Sequence, residues 1–146
     1  MTEVVIIAAR RTATGAFQGA LAEHSAADLG SRVIQALLKE SGVEAGDISQ
    51  VIMGQVLTAG CGQNPARQSA LNAGLPDGTQ CLTINKVYGS GLKAVHRCMQ
   101  APQTGEAEFV IAGGRESMSN APHHALTSRS GTRTGDITPT DSPARW

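Results

Sequence analysis

The sequence predicts an α/β fold with a mostly parallel sheet, and three observations point to it. Apolar runs suited to strands alternate with segments of helical periodicity, an order typical of right-handed βαβ units. The first run, Val4–Ala9, is continuously apolar, as in a strand buried on both faces of a sheet. Apolar residues make up 40% of the chain and aromatic residues only 3%, which favours closely packed layers of small side chains.

Three further strands are predicted after Val4–Ala9. Each carries the β-branched and large apolar residues that strands favour. The loop Arg10–Phe17 that follows the first strand is interpreted as a surface loop with two solvated arginines. The further strands are expected at Gln50–Val56, at a stretch with apolar positions Leu82, Ile84 and Val87, and at Phe109–Gly114.

The first two predicted helices have clear start and stop signals. Ser25–Asp28 has the pattern of a capping box, and Gly42 ends the first helix. Asn64 and Pro65 are an N-cap and a proline at the first helical position, and this second helix ends before Gly74.

A glycine turn joins the third strand to the third helix. Gly89 and Gly91 permit backbone angles and close approaches that other residues resist. Apolar residues then recur at helical spacing from Leu92 to Met99. Pro102 requires this helix either to stop near Gln100 or to kink, because proline removes a hydrogen bond from a helix interior.

Tyr88 is the candidate site residue, because it lies in this turn at the N-terminus of the third helix. Unpaired N–H groups and the helix dipole favour negative charge there, so a nucleophile that must ionise gains from the position. A phenol titrates near 10, and a dipole effect of at most ~2 kcal/mol leaves only a small fraction ionised at neutral pH.

The stretch Thr83–Val95 resembles the nucleophile segment of the thiolases, the family of acetyl-CoA acetyltransferase and 3-ketoacyl-CoA thiolase. The similarity lies in Asn-Lys-Val before Tyr88 and Gly-Ser-Gly-Leu-Lys-Ala-Val after it. In that family the residue at the position of Tyr88 is a cysteine, which carries the acyl group as a thioester. We predict that Tyr88 does not replace that thiolate, and that its larger ring takes space the acyl group needs.

Other segments are similar to thiolases as well. The clearest are an Arg-Thr-x-x-Gly-x-Phe loop with Ala13 in place of the usual proline, and Ala112–Ser119, which resembles Ala-Gly-Gly-x-Glu-x-Met-Ser. The resemblance implies an incomplete thiolase-like N-terminal half-domain over residues 1–120. Residues 121–146 are then the start of a loop domain, with an irregular and mobile tail after about Thr127.

The resemblance implies coenzyme A thioesters as substrates and no covalently bound cofactor. In the family, the second half supplies the activating histidine, a second catalytic cysteine and most oxyanion-hole groups, so we expect this chain to be inactive alone. Backbone N–H groups around Tyr88 and Gly89 remain candidates for an oxyanion site.

Neither Cys81, at the strand start, nor Cys98, inside the helix, is expected to replace the nucleophile. No catalytic role is assigned to His24, His96, His123 or His124.

Two alternatives to catalysis stay open. In thiolases the third helix lies between two half-domains, so Leu92, Val95 and Met99 are expected to be exposed to solvent here. That predicts a non-catalytic protein that forms a homo-oligomer or associates with a full-length thiolase. Gly89–Ala94 also satisfies the G-x-G-x-x-A pattern of a dinucleotide-binding turn, which is a weak signal by itself.

Composition and charge exclude several other classes of function. The 12 basic and 12 acidic residues give a formal net charge of zero, so no positive field attracts nucleic acid or an anionic membrane. No membrane-length apolar run or signal-peptide pattern is found, and we expect a cytoplasmic protein. Cys61, Cys81 and Cys98 form no C-x-x-C pair, which suits a reducing compartment, and no metal or cofactor site is predicted.

Overall fold

Three parallel strands form the centre of the computed structural model, which describes residues 3–126, 128–131 and 134–141. They are β1 (Ile48–Gly54), β2 (Gln80–Ile84) and β3 (Phe109–Gly114), in the spatial order β2-β1-β3. The predicted parallel sheet is therefore confirmed for these three strands. Strand β1 begins two residues earlier than predicted, and β2 ends at Ile84 rather than near Val87.

Helices α1 (Ala26–Ser41) and α2 (Pro65–Asn72) pack against each other on one face of the sheet, and α3 (Ser90–Thr104) covers the other. Both predicted N-terminal signals are confirmed. The Ser25 hydroxyl accepts from the Asp28 N–H while the Asp28 carboxylate accepts from the Ser25 N–H. The Asn64 side chain accepts from the Arg67 N–H in the first turn of α2.

Helix α3 continues through Pro102 to Thr104, which answers the question that the proline raised. It ends at Gly105, whose left-handed backbone (φ 77°) closes the last turn. The Glu106 N–H donates to the Ala101 carbonyl at 2.9 Å. A proline near the end of a helix disturbs few subsequent hydrogen bonds, and here the terminating glycine lies three residues later.

The hydrophobic core lies between β1 and the α1–α2 pair. Its innermost members are Ile34 from α1, Val51 from β1 and Ala66 from α2, all inaccessible to solvent. Side chains of a strand alternate between faces, so Gly54 belongs to the opposite face. There it touches the backbone of α3: a Cβ on Gly54 would lie 2.5 Å from the Ser90 carbonyl carbon.

The predicted first strand, Val4–Ala9, is wrong. The segment has no regular structure, and its large side chains Val5, Ile6 and Ile7 are exposed, with Ile6 83% accessible. A strand forms only where its N–H and C=O groups find a neighbouring strand, and this run pairs with none of the described strands. Arg10 is exposed as predicted, but its guanidinium also forms a 3.0 Å ion pair with Glu40.

The segment after β3 is irregular, with one short pairing that the sequence did not predict. Strands β4 (His123–His124) and β5 (Thr140–Asp141) are antiparallel neighbours. The mobile tail predicted after about Thr127 falls partly on residues 127, 132–133 and 142–146, which lie outside the described residues, and its described part includes β5. None of the helices in the described ranges combines the length and apolar content that a membrane crossing demands.

Candidate functional site

Tyr88 lies in the turn between β2 and α3, as the sequence predicts. The Ser90 hydroxyl holds this turn, because it accepts from the Lys86 N–H at 2.8 Å and donates to the Val87 carbonyl. Val87 has a positive φ of 48°, which is uncommon for a β-branched residue. The Tyr88 side chain projects outward from this fixed turn and is 88% exposed.

A cavity of about 420 Å³ opens beside the turn, at the carboxyl ends of β1 and β3. Tyr88 contributes one wall, and Gln55, Arg115, Glu116 and Met118 are among the residues of the others. In parallel α/β sheets this end is where ligands bind. Among the described residues, the lining contains no histidine and no cysteine, and Glu116 is the carboxylate that shares the cavity with Tyr88.

Glu116 anchors the segment after β1, which forms the cavity wall opposite the turn. Its carboxylate accepts from the Val56 N–H at 2.8 Å and from the Leu57 N–H at 3.3 Å. Asn85, just before the turn, donates from its side-chain amide to the Val56 carbonyl at 3.3 Å. The two contacts hold the segment after β1 in place from both sides, so the cavity is pre-formed.

Arg115 carries the most unusual electrostatics of the site. Its residue surface is 8% exposed, and none of its guanidinium nitrogens has a hydrogen-bond partner among the described residues. Burial lowers the pKa of Arg115 to about 10, and its electrostatic interactions with the Cys61 and Glu116 side chains oppose that shift. Its side chain passes close under α1, where a Cβ on Gly30 would lie 2.7 Å from the Arg115 Cδ.

The turn offers less to an oxyanion than the sequence suggested. The Gly89 N–H donates to the Lys86 carbonyl at 3.0 Å, so it is already used within the turn. Gly91, the second glycine of the G-x-G-x-x-A pattern, has a packing role, because a Cβ there would lie 3.3 Å from the Gly114 backbone. Close helix–strand contact therefore accounts for this glycine without any phosphate ligand.

Arg67 and Gln68 on α2 both donate to acceptors outside their helix. Arg67 is partly buried and donates to the Asp77 carbonyl at 2.9 Å, which holds the turn before β2. Gln68 donates to the Cys61 carbonyl at 2.6 Å and fixes the loop before α2. Neighbouring residues in the sequence alone do not reveal these tertiary acceptors.

The remaining candidates lie away from the cavity. Cys98 is inside α3, as predicted, and its thiol contacts the Val110 carbonyl at 3.7 Å. Burial raises the pKa of the Cys98 and Cys81 thiols. None of the four histidines lines the cavity. Within the described ranges, no cluster of three or more histidine, cysteine or acidic side chains could hold a metal ion.

A larger open depression of about 570 Å³ lies at the other end of the sheet. Glu3, Glu106 and Glu108 surround it together with the starts of β1 and β3. Its lining has no basic side chain to pair with these carboxylates, and its hydroxyl, on Ser49, accepts from the Glu108 N–H at 3.2 Å. The cavity beside Tyr88 is therefore the candidate site.

Sequence reasoning missed the wall residues Gln55 and Arg115, and the contact by which Asn85 supports the wall. One signal was available: Gln55 and Arg115 directly follow β1 and β3, and carboxyl ends of neighbouring parallel strands meet at one edge. A polar residue directly after each of two apolar runs was therefore a usable sign of a site.

Comparison with known proteins gives matches over almost the whole sequence. A sequence model of the family described as "Thiolase, N-terminal domain" matches residues 4–143. A probable acetyl-CoA acetyltransferase of Escherichia coli (strain K12) is 56% identical over 142 residues, covering 97% of this chain and 36% of that protein. An acetyl-CoA acetyltransferase of Pseudomonas aeruginosa is 54% identical with the same coverage of both. One from Cupriavidus necator is 57% identical over 136 residues, covering 93% of this chain and 35% of that protein. The chain thus spans about a third of the length of these relatives.

Proposed function

Because the chain belongs to the thiolase family, we propose that it is built on the part of an acetyl-CoA acetyltransferase that holds the acyl-carrying residue, and that it does not transfer acetyl groups by itself. The family reaction joins two acetyl-CoA molecules into acetoacetyl-CoA and releases CoA. The position of Tyr88, in the fixed turn before α3 and beside the cavity, carries the proposal. Coenzyme A thioesters are the proposed ligand class.

The first chemical step explains why tyrosine matters. A nucleophile must attack the thioester carbonyl and expel the CoA thiolate, and a cysteine thiolate is abundant enough near neutral pH to do so. A phenol is mostly protonated there, so it needs a general base. None of the described residues that line the cavity is a histidine, so no imidazole is at hand to act as that base.

The second step adds another requirement. A second acetyl-CoA must lose an α-proton before its carbon attacks the acyl group, and the developing oxyanions need N–H donors. The Gly89 N–H is occupied by the Lys86 carbonyl. Within the described part of the chain, the carboxylate in the cavity lining, Glu116, already accepts from the Val56 and Leu57 N–H groups, so it is poorly placed to take the α-proton.

Thiolysis of acetoacetyl-CoA by free CoA tests the proposal. The unmodified chain, Tyr88→Cys and Tyr88→Phe are assayed together, with a full-length acetyl-CoA acetyltransferase as the positive control. We expect all three variants to match the rate without protein. Turnover by the unmodified chain contradicts the proposal. If Tyr88→Cys turned over and the other two variants did not, the missing cysteine at position 88 would be the sole cause of inactivity.

A second candidate function is association through exposed apolar surface, and the exposure of α3 favours it. Leu92 is 66% and Met99 46% exposed, while Val95 is partly buried, so two of the three predicted residues lack cover. Apolar side chains at helical spacing on one exposed face are a common feature of interfaces. We propose a second copy of the chain as the partner.

Light scattering after size-exclusion chromatography tests this association. We expect the unmodified chain to exceed the monomer mass at micromolar concentration and Leu92→Glu to shift it towards the monomer. Gln100→Glu adds the same charge on an exposed polar position of α3 and serves as the matched control. A monomer at all concentrations, with a cooperative thermal transition, contradicts the association.

A further inference from the structure

Helix α3 carries positive charge where its own structure does not favour it. Apart from His96, its titratable basic side chains are Lys93 and Arg97, four positions apart, and the helix contains no acidic residue. Like charges at this spacing repel each other, and the first turn of a helix, where Lys93 lies, favours negative charge. Neither cation forms an ion pair within the described residues. The stability of the helix therefore does not account for this charge.

Negative charge surrounds the open depression of about 570 Å³ at the far end of α3. Glu3, Glu106 and Glu108 line this depression and are exposed, and the described residues of the lining include no basic side chain. None of the three carboxylates forms an ion pair in the described part of the chain. Pro102, from the last turns of α3, belongs to the same lining. Unpaired acidic side chains thus lie at one end of the helix whose first half is basic.

The two charged surfaces are too far apart to pair within one chain. A helix rises about 1.5 Å per residue, so Lys93 and Pro102 are about 14 Å apart along the axis of α3. A second copy removes this separation when its α3 runs antiparallel to the first, because the first half of each helix then faces the far end of the other. A parallel arrangement would instead place Lys93 and Arg97 of one copy against the same two cations of the other.

We propose that two copies of the chain form a two-fold dimer in which their α3 helices lie antiparallel, with Lys93 and Arg97 of each copy facing Glu106 and Glu108 of the other. This arrangement rests on the association proposed above and specifies its geometry. The exposed side chains of Leu92 and Met99 supply apolar surface to the same contact. Because a two-fold axis pairs each surface with its complement, the assembly closes at two copies and does not extend into a filament.

Paired charge reversals test the arrangement. Arg97→Glu and Glu108→Lys each place like charges opposite one another at both charged contacts of the dimer. We expect each variant alone to have a dimer dissociation constant at least about tenfold larger than that of the unmodified chain. An equimolar mixture of the two variants has opposite charges at both contacts, so we expect it to dimerise about as strongly as the unmodified chain. Glu23→Lys, at an exposed position before α1, is the matched control and should leave dimerisation unchanged.

Sedimentation equilibrium over a concentration series measures these constants, and thermal melting curves check that each variant is folded. A monomer at every concentration of the unmodified chain contradicts both the association and its arrangement. If the unmodified chain dimerises but the two reversals have no effect, the association stands and the antiparallel arrangement is overturned. A mixture that dimerises no better than either variant alone overturns it as well.

Cross-linking of the unmodified chain is a second measurement that needs no variant. A carbodiimide joins lysine and carboxylate side chains in direct contact, and mixing isotope-labelled with unlabelled copies identifies the links between copies. We expect links from Lys93 of one copy to Glu106 or Glu108 of the other, and we expect high salt to reduce them because exposed charges are screened. Dimers in which no link between copies joins these residues overturn the proposal.

Discussion

The helical layers on the two faces of the sheet differ in how completely their apolar side chains are buried. On one face, α1 and α2 bury Ile34, Val51 and Ala66 entirely. On the other, α3 buries Ala94 but leaves Leu92 and Met99 largely open to solvent. The helices on both faces have apolar residues at helical spacing. This periodicity shows which side chains can be buried, but the presence of a further packed layer determines which of them are buried.

The difference bears on function because Tyr88 and the candidate cavity lie on the open face, next to the start of α3. The closed face supplies stability, and the open face supplies the surface on which we propose that ligands and a second copy act. Substitutions on the two faces should therefore affect different measurements, folding stability on one and association on the other.

The largest expected effect is the loss of a core side chain from the closed face. Ile34→Ala should lower the free energy of unfolding by about 3 kcal/mol, because it leaves a cavity where packing is complete. Leu92→Ala on the open face should change it by less than about 0.5 kcal/mol. Urea unfolding of both variants measures the contrast, and equal losses would mean that the two faces are equally packed.

A smaller effect is expected where α3 touches the sheet most closely. Gly54→Ala places a methyl group against the Ser90 and Gly91 backbone, at 2.5 and 2.6 Å, so helix and strand must separate. We expect a loss of about 2 kcal/mol. Gly46→Ala, where a Cβ meets nothing within 4 Å, is the matched control in the same thermal unfolding series. A stability for Gly54→Ala equal to that of the control would refute the close contact.

The next effect concerns the start of α1. Ser25→Ala removes the hydroxyl that accepts from the Asp28 N–H at 3.1 Å, and we expect a loss of about 1 kcal/mol. Ser25→Thr keeps the oxygen and should lose much less. Chemical denaturation compares the two variants, and equal stability of both would show that the cap contributes little.

The smallest effect is a pH dependence from the same capping box. Hydrogen bonds from the Ser25 side chain and N–H lower the pKa of the Asp28 carboxyl below its ordinary 3.8. Because the pKa of Asp28 is lower in the folded chain, the contribution of Asp28 to folding stability is complete above pH 3.8. That contribution is lost as the pH falls through the pKa of the folded chain. Asp28→Asn should flatten the stability curve in that acidic range. Identical curves for both proteins would exclude this contribution.

Local signals in the sequence predicted the local structure well. Ser25 and Asn64 cap their helices as expected, because a cap depends on residues three positions away. Tyr88 lies in the predicted turn for the same reason. The sheet order, and the pairing of His123–His124 with Thr140–Asp141, depend on distant segments, and the sequence alone did not reveal them.

The errors share one physical cause. Val4–Ala9 has the composition of a buried strand, but burial and pairing need a neighbour that local sequence cannot supply. Arg67 resembles a solvated residue, yet its acceptors at Asp77 and Thr79 come from a later turn. The unpartnered guanidinium of Arg115 was invisible for the same reason, since burial is a property of the packed layers.

The most direct test of the central claim asks whether residue 88 carries an acetyl group. The unmodified chain is incubated with acetyl-CoA at neutral pH, and peptide mass spectrometry follows the segment around Tyr88. The account predicts an unmodified Tyr88, because a phenol needs a general base to attack a thioester at a useful rate. Among the described residues the cavity lining holds no histidine, and its carboxylate, Glu116, already accepts from the Val56 and Leu57 N–H groups. An acetyl group on the Tyr88 oxygen that appears with time would contradict it.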